Sequence, residues 1–181
     1  MEASYHQGKN FTIVASFVDT NILIYAEDRD AKDKHLVARD LIVELWDSRE
    51  GVLSVQILQE FYINVTRKLK KPLSASKARE IVEEYLTWTI VDNTGRMLLE
   101  AIELQRKTQL SIWDSLVVQA AIDSRCDKLY TECIATTASN DPRLSVQLDS
   151  LKSPRMNVAD GCFPMRSRLI LSIGTEKSNR V

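Results

Sequence analysis

The chain has 181 residues, 44% hydrophobic and 27% charged, which is about one domain with enough apolar mass to bury a core. Its 24 basic and 25 acidic residues leave a formal charge of −1, so no protein-wide basic field gathers nucleic acid and any such contact must be a local patch. No apolar run approaches the roughly 18 residues of a membrane span. The run from Phe11 to Val18 lacks the charged start and small-residue cleavage site of a secretory leader.

In chain order, Phe17-Val18 is a strand that runs into the turn formers Asp19-Thr20-Asn21. Residues 32–48 place Val37, Leu41 and Leu45 at helical spacing, and Gly51-Val52-Leu53-Ser54 is a second short strand. Ser54 caps the next helix, whose apolar row is Leu58, Phe61, Tyr62, Val65 and Leu69, and Pro72 ends it. Ser74 opens a helix that buries Ala78, Ile81, Val82 and Tyr85. Trp88 to Val91 is a third strand, closed by Asp92-Asn93-Thr94-Gly95. Met97, Ala101, Ile102 and Leu104 mark another helix. Ser111 starts one more, with Leu116, Val117, Ala120 and Ala121 facing inward, and Leu129-Tyr130-Thr131 is a fourth strand. Strands alternating with helices in this way predict an α/β domain around a mostly parallel sheet. The three tryptophans, Trp46, Trp88 and Trp113, are read as core or interface residues.

The pattern changes after residue 133. Residues 134–181 hold three of the four prolines and no long helical row. Their seven basic and four acidic residues give +3 against −4 for residues 1–133. Arg168 to Ile173 is the only segment there that reads as a strand. The division is therefore an extension over 1–16, a domain over 17–133 and an atypical tail over 134–181. Cys126, Cys133 and Cys162 form an odd set without C-x-x-C spacing, which argues against a disulfide framework and a zinc site and fits a reducing cytoplasm. His6 and His35 have no third ligand-type group beside them and read as ordinary surface residues.

In open α/β sheets ligands bind outside the carboxyl ends of the strands. Asp19 stands at such an end, as do Thr131 and Glu132. Asp114 falls in the first turn of its helix and Glu60 about two turns into another. Carboxylates converging on that edge repel one another, and a hard divalent cation such as Mg²⁺ or Mn²⁺ resolves the repulsion. Each acid also has a plainer reading. Asp19 suits a turn, Ser111-Ile112-Trp113-Asp114 is a capping box, and Glu60 lies on the polar stripe Gln56, Glu60, Arg67.

The words around these acids resemble the PIN-domain family. Phe17-Val18-Asp19-Thr20-Asn21-Ile22-Leu23-Ile24-Tyr25-Ala26 looks like its opening strand, turn and helix. Leu53 to Tyr62 resembles the second acidic motif, Ser111-Ile112-Trp113-Asp114-Ser115-Leu116 the third, and Leu129-Tyr130-Thr131-Glu132 the start of the fourth. Order and spacing match from Phe17 to about Glu132, most closely to the VapC-type ribonuclease toxins of toxin–antitoxin pairs. The resemblance implies a three-layer α/β/α sandwich with a five-stranded sheet and a metal-dependent endoribonuclease. It also implies a homodimer held inactive by a small antitoxin. It makes Asp19 and Asp114 direct metal ligands for Mg²⁺ or Mn²⁺ and Glu60 the third catalytic acid, ligating directly or through water and helping to position the attacking water. Asn21 would orient Asp19, and Thr131 would hydrogen-bond behind it.

The chain departs from the family at Cys133, where the pattern Thr-x-Asp becomes Thr131-Glu132-Cys133. A thiol is a poor ligand for a hard ion. Glu132 is adjacent, but neighbouring strand residues face opposite ways. The alternative reading is therefore a PIN-like module that binds antitoxin or RNA with weakened catalysis. Metal-dependent RNA cleavage separates the two. Arg67, Lys68, Lys70 and Lys71 form a basic cluster suited to RNA phosphates, or to the negative end of their own helix.

Overall fold

A computed structural model describes residues 15–108 and 110–131, together with the backbone of two further strands at 144–149 and 168–173. Residues 1–14 of the N-terminal extension, with His6, lie outside the described residues, as do Glu132, Cys133 and Cys162. The elements are β1 (Ser16–Val18), α1 (Thr20–Glu27), α2 (Asp33–Ser48), β2 (Gly51–Ser54), α3 (Val55–Arg67) and α4 (Ala75–Tyr85). After them come β3 (Thr89–Val91), α5 (Gly95–Lys107), α6 (Ile112–Asp123), β4 (Lys128–Thr131), β5 (Leu144–Asp149) and β6 (Arg168–Ile173).

The strands form one sheet in the order β3-β2-β1-β4-β6-β5. The first four are parallel, with Phe17 opposite Val52 on one side and Leu129 on the other. Strands β5 and β6 pair antiparallel with each other, and β6 pairs antiparallel with β4. The segment from Arg168 to Ile173 is thus a strand, but it is not alone in the tail, since Leu144–Asp149 is a second; among the described residues the sheet has six strands rather than five.

Strand order fixes the layers. Parallel crossovers are right-handed. The steps β1 to β2 and β2 to β3 run in one direction across the sheet and put α1 to α4 on one face. The return from β3 to β4 puts α5 and α6 on the other. This is the α/β/α sandwich that the resemblance implies, built on the mostly parallel sheet expected from the alternation of elements.

Side-chain oxygens at the helix starts explain where several helices begin. Ser54, Ser74, Thr94 and Ser111 each accept a hydrogen bond from the backbone N–H three residues on. The core joins Phe17, Val18, Leu23, Leu53, Ile57, Phe61, Val118 and Leu129, all buried. In α6 every residue from Ser115 to Ala121 is buried, so that helix is enclosed around its whole circumference.

Three expected core residues are exposed. Val37, Tyr62 and Ile102 face outward, while their neighbours Ala38, Phe61 and Ala101 are buried. Each inward stripe passes one position away, and one residue turns a helix by about 100°. Trp113 is 62% exposed and does not belong to the core.

Trp88 is partly buried against the core, and Trp46 is exposed but stacks on it. Their rings and that of Tyr85 lie 5.3 to 5.5 Å apart, with Phe61 6.0 Å from Tyr85. Gly51 makes this arrangement possible, because a Cβ there would overlap the Trp88 ring. Gly51→Ala is expected to lower stability by about 1–3 kcal/mol, the usual cost of overpacking, and urea denaturation followed by tryptophan fluorescence measures it.

Candidate active site

The order β2-β1-β4 makes the carboxyl end of β1 the point where the chain's path across the sheet reverses, the place where open α/β sheets bind their ligands. Asp19 follows β1 directly, and its backbone N–H bonds to the Tyr130 carbonyl at 2.9 Å. It is also the N-cap of α1. Its Oδ1 accepts the Thr20 N–H at 2.6 Å. Its Oδ2 accepts the Thr131 hydroxyl at 2.7 Å and the Asn21 side-chain amide at 2.9 Å. These three bonds use three of the about four acceptor sites of a carboxylate and leave one on Oδ1. The Asn21 amide also lies 3.5 Å from Thr131 Oγ1. Asn21 and Thr131 therefore stand where orienting partners of Asp19 belong, and register puts them there: Val18 lies opposite Tyr130, so Asp19 and Thr131 follow side by side.

Glu60 enters from α3 and reaches the same corner through Thr20, whose hydroxyl donates to Oε2 at 3.2 Å. The Gln56 amide donates to Oε1 at 2.9 Å. Asp114 sits in the first turn of α6, where Oδ2 accepts the Ser111 hydroxyl at 2.7 Å and its N–H bonds Ser111 Oγ at 3.1 Å. Ser111 thus caps the helix, and the return bond to the Asp114 carboxylate comes from the Ser111 hydroxyl rather than its backbone N–H, which holds the carboxylate at its own helix start.

Burial is the main cause that pushes the Asp19 carboxyl above its ordinary value of 3.8. The hydrogen bonds from Thr131 and the Thr20 N–H pull it back, and the negative charges of Glu60 and Asp114 push it up again. Asp19 therefore feels both other acids. Among the described residues no three His, Cys, Asp or Glu side chains are assembled closely enough to hold an ion as they stand. The donor chemistry nonetheless fits a hard divalent cation. The three acids offer only oxygen, one acceptor site of Asp19 is open, and a positive charge would offset the burial, and the lesser repulsion, that raise Asp19.

The basic cluster stands apart. Arg67, Lys68, Lys70 and Lys71 are exposed around the C-terminal end of α3, with Arg67 about 10 Å along the axis from Glu60. Lys71 pairs with Asp30 at 3.4 Å. His35 is half-buried and bonds the Tyr25 carbonyl through Nδ1 at 3.0 Å. Cys126 is buried beside Ser124, and burial pushes its thiol up to about 11, which makes it inert as a nucleophile. Two polar residues of the site, Thr20 and Gln56, were not singled out as site residues from sequence. The signal for Gln56 was its spacing of four from Glu60 on one polar stripe.

The PIN domain family profile matches residues 16–133. No curated protein sequence matches. Among solved structures the chain is similar to a toxin–antitoxin complex from Klebsiella pneumoniae, with TM-score 0.52 and 18% identity over 71% of this chain and 93% of that one. It is also similar to VapC20 of Mycobacterium tuberculosis, described as a toxin that cleaves the sarcin–ricin loop. There the TM-score is 0.50 and the identity 15%, over 65% of this chain and 88% of that one. At such identities the likeness concerns the fold. The profile match spans well over half of the sequence, so the chain belongs to the PIN-domain family.

Proposed function

We propose that this chain is a metal-dependent endoribonuclease, the toxin of a toxin–antitoxin pair. The observation that carries the reading is Asp19. It is fixed by three hydrogen bonds at the switch point of the sheet, and it feels the charges of Glu60 and Asp114. Membership of the PIN family and the toxins among structures of the same fold support it.

Asp19 and Asp114 would hold Mg²⁺ or Mn²⁺, with Glu60 as the third acid. When bound, such an ion supplies a Lewis acid for the phosphodiester and lowers the pKa of a coordinated water. Thr131 and Asn21 hold Asp19 Oδ2, so the carboxylate cannot swing and Oδ1 keeps its open site. Glu60 orients the attacking water through a carboxylate that is itself held at both oxygens. The basic residues from Arg67 to Lys71 would meet RNA phosphates away from the acids. A cognate antitoxin would block the site, and the toxin would act as a homodimer in the cytoplasm. Among the described residues no helix is long and apolar enough to cross a membrane.

A binding module with weakened catalysis is the second reading, favoured by Cys133 where the family carries its fourth acid. Expression in bacteria distinguishes them. The parent chain should arrest growth, Asp114→Asn should not, and co-expression of the cognate antitoxin should restore growth. Equal growth with parent and Asp114→Asn would favour the binding module.

A further inference from the structure

Gln56 is 4% exposed, and Thr20 is 4% exposed. Burying a side-chain amide costs free energy unless it is hydrogen-bonded, and a leucine or methionine would fill such a place without that cost. Gln56 spends its amide on Glu60, one turn further along α3. Thr20, from the start of α1, donates its hydroxyl to the other oxygen of the same carboxylate. The two donors come from different helices and take opposite oxygens, which fixes both the position and the rotation of the carboxylate plane. A third contact steadies the helix beneath: the Asn64 amide donates to the Glu60 carbonyl at 2.7 Å. Glu60 is half-buried and is linked to the carboxyl end of β1 through Thr20, whose own N–H bonds Asp19. Thr20 thereby ties the Glu60 carboxylate to the Asp19 carboxylate.

From this geometry we infer that Gln56 is a positioning residue, which with Thr20 clamps the Glu60 carboxylate in the orientation that a divalent cation and the attacking water require. The inference rests on the reading of Glu60 as the third acid of the site. An ordinary helix-surface Gln–Glu pair would do nothing for metal binding. A clamp would, because removing a partner that orients a metal-site acid typically costs about 10- to 100-fold in affinity or activity.

The test is a mutant cycle on the full chain, with Mn²⁺ as the probe. Gln56→Met keeps the volume and removes the donor. Calorimetry of Mn²⁺ binding gives a readout independent of RNA, and cleavage of an RNA at saturating Mn²⁺ gives the second. Gln56→Met should weaken Mn²⁺ binding and slow cleavage by about tenfold each. In a Glu60→Gln background the same change should have no further effect on either, because the carboxylate it positions is gone. Thr20→Val, an isostere that keeps the backbone N–H to Asp19, should repeat the pattern and serves if Gln56→Met fails to fold. Equal losses in both backgrounds would show a packing role and overturn the proposal, as would unchanged Mn²⁺ affinity in Gln56→Met and Thr20→Val. A silent Glu60→Gln would remove Glu60 from the site, and the clamp with it. A parent that binds Mn²⁺ without cleaving RNA would sink the nuclease reading alone, and the binding arms of the cycle would still decide the clamp.

Discussion

Asp19→Asn is expected to slow RNA cleavage at least about 100-fold, because a metal-bound charge worth several kcal/mol corresponds to such a factor. The same substitution should raise the melting temperature of the metal-free protein at pH 7. The sign follows from linkage. The Asp19 carboxyl lies above its ordinary 3.8 in the fold, chiefly through burial. Between the unfolded and the folded pKa the native chain holds more proton than the unfolded one, so stability falls as pH rises through that window. Above it the penalty is complete, and a neutral amide avoids it. The parent should recover stability when Mn²⁺ is added, and the variant should not. The fold has room for the change. Among the described residues Asn21 Oδ1 is buried without a partner in the parent, so the Asn21 amide can turn over and accept from the new Nδ2. Asp114→Asn should show the same loss of cleavage. Calorimetric melting with and without Mn²⁺, beside cleavage assays, checks both halves.

Cys133→Asp should act in the opposite direction. The family carries an acid two residues beyond the threonine that corresponds to Thr131, and this chain carries a thiol. A fourth carboxylate beside Asp19, Glu60 and Asp114 adds attraction for a hard ion and helps fix its water. Mn²⁺ binding should tighten and cleavage quicken by about tenfold or more, since one well-placed charge is worth several kcal/mol in such a site. Cys133 lies outside the described residues, so the expectation stands on the family pattern. Unchanged binding and rate, with a substantial parent rate, would mean three acids suffice. Unchanged values with a parent rate near zero would point to a site misassembled beyond Thr131.

Much of this arrangement was legible before any coordinates. The cap residues Ser54, Ser74 and Ser111 announce their helices because a short hydroxyl side chain is the cheapest partner for an orphan N–H. The parallel sheet follows from strands separated by helices. The placement of Asp19, Asn21 and Thr131 follows from motif words at two strand ends. The inward stripes were harder. Val37 and Ala38, Tyr62 and Phe61, and Ile102 and Ala101 are adjacent apolar pairs, and spacing alone does not say which member meets the sheet. Trp113 was read as core or interface, and its exposure removes the core half of that reading. The Gln56–Glu60–Thr20 clamp needed the approach of α1 to α3, a tertiary fact with no local signature.

The most direct measurement is cleavage of a structured RNA by purified chain with Mn²⁺ present, beside the same protein in chelator and Asp19→Asn purified in parallel. A nuclease of the kind proposed cleaves in the first reaction and in neither of the others. Cleavage that survives both chelator and Asp19→Asn, or a parent as inactive as the variant at saturating Mn²⁺, would contradict it.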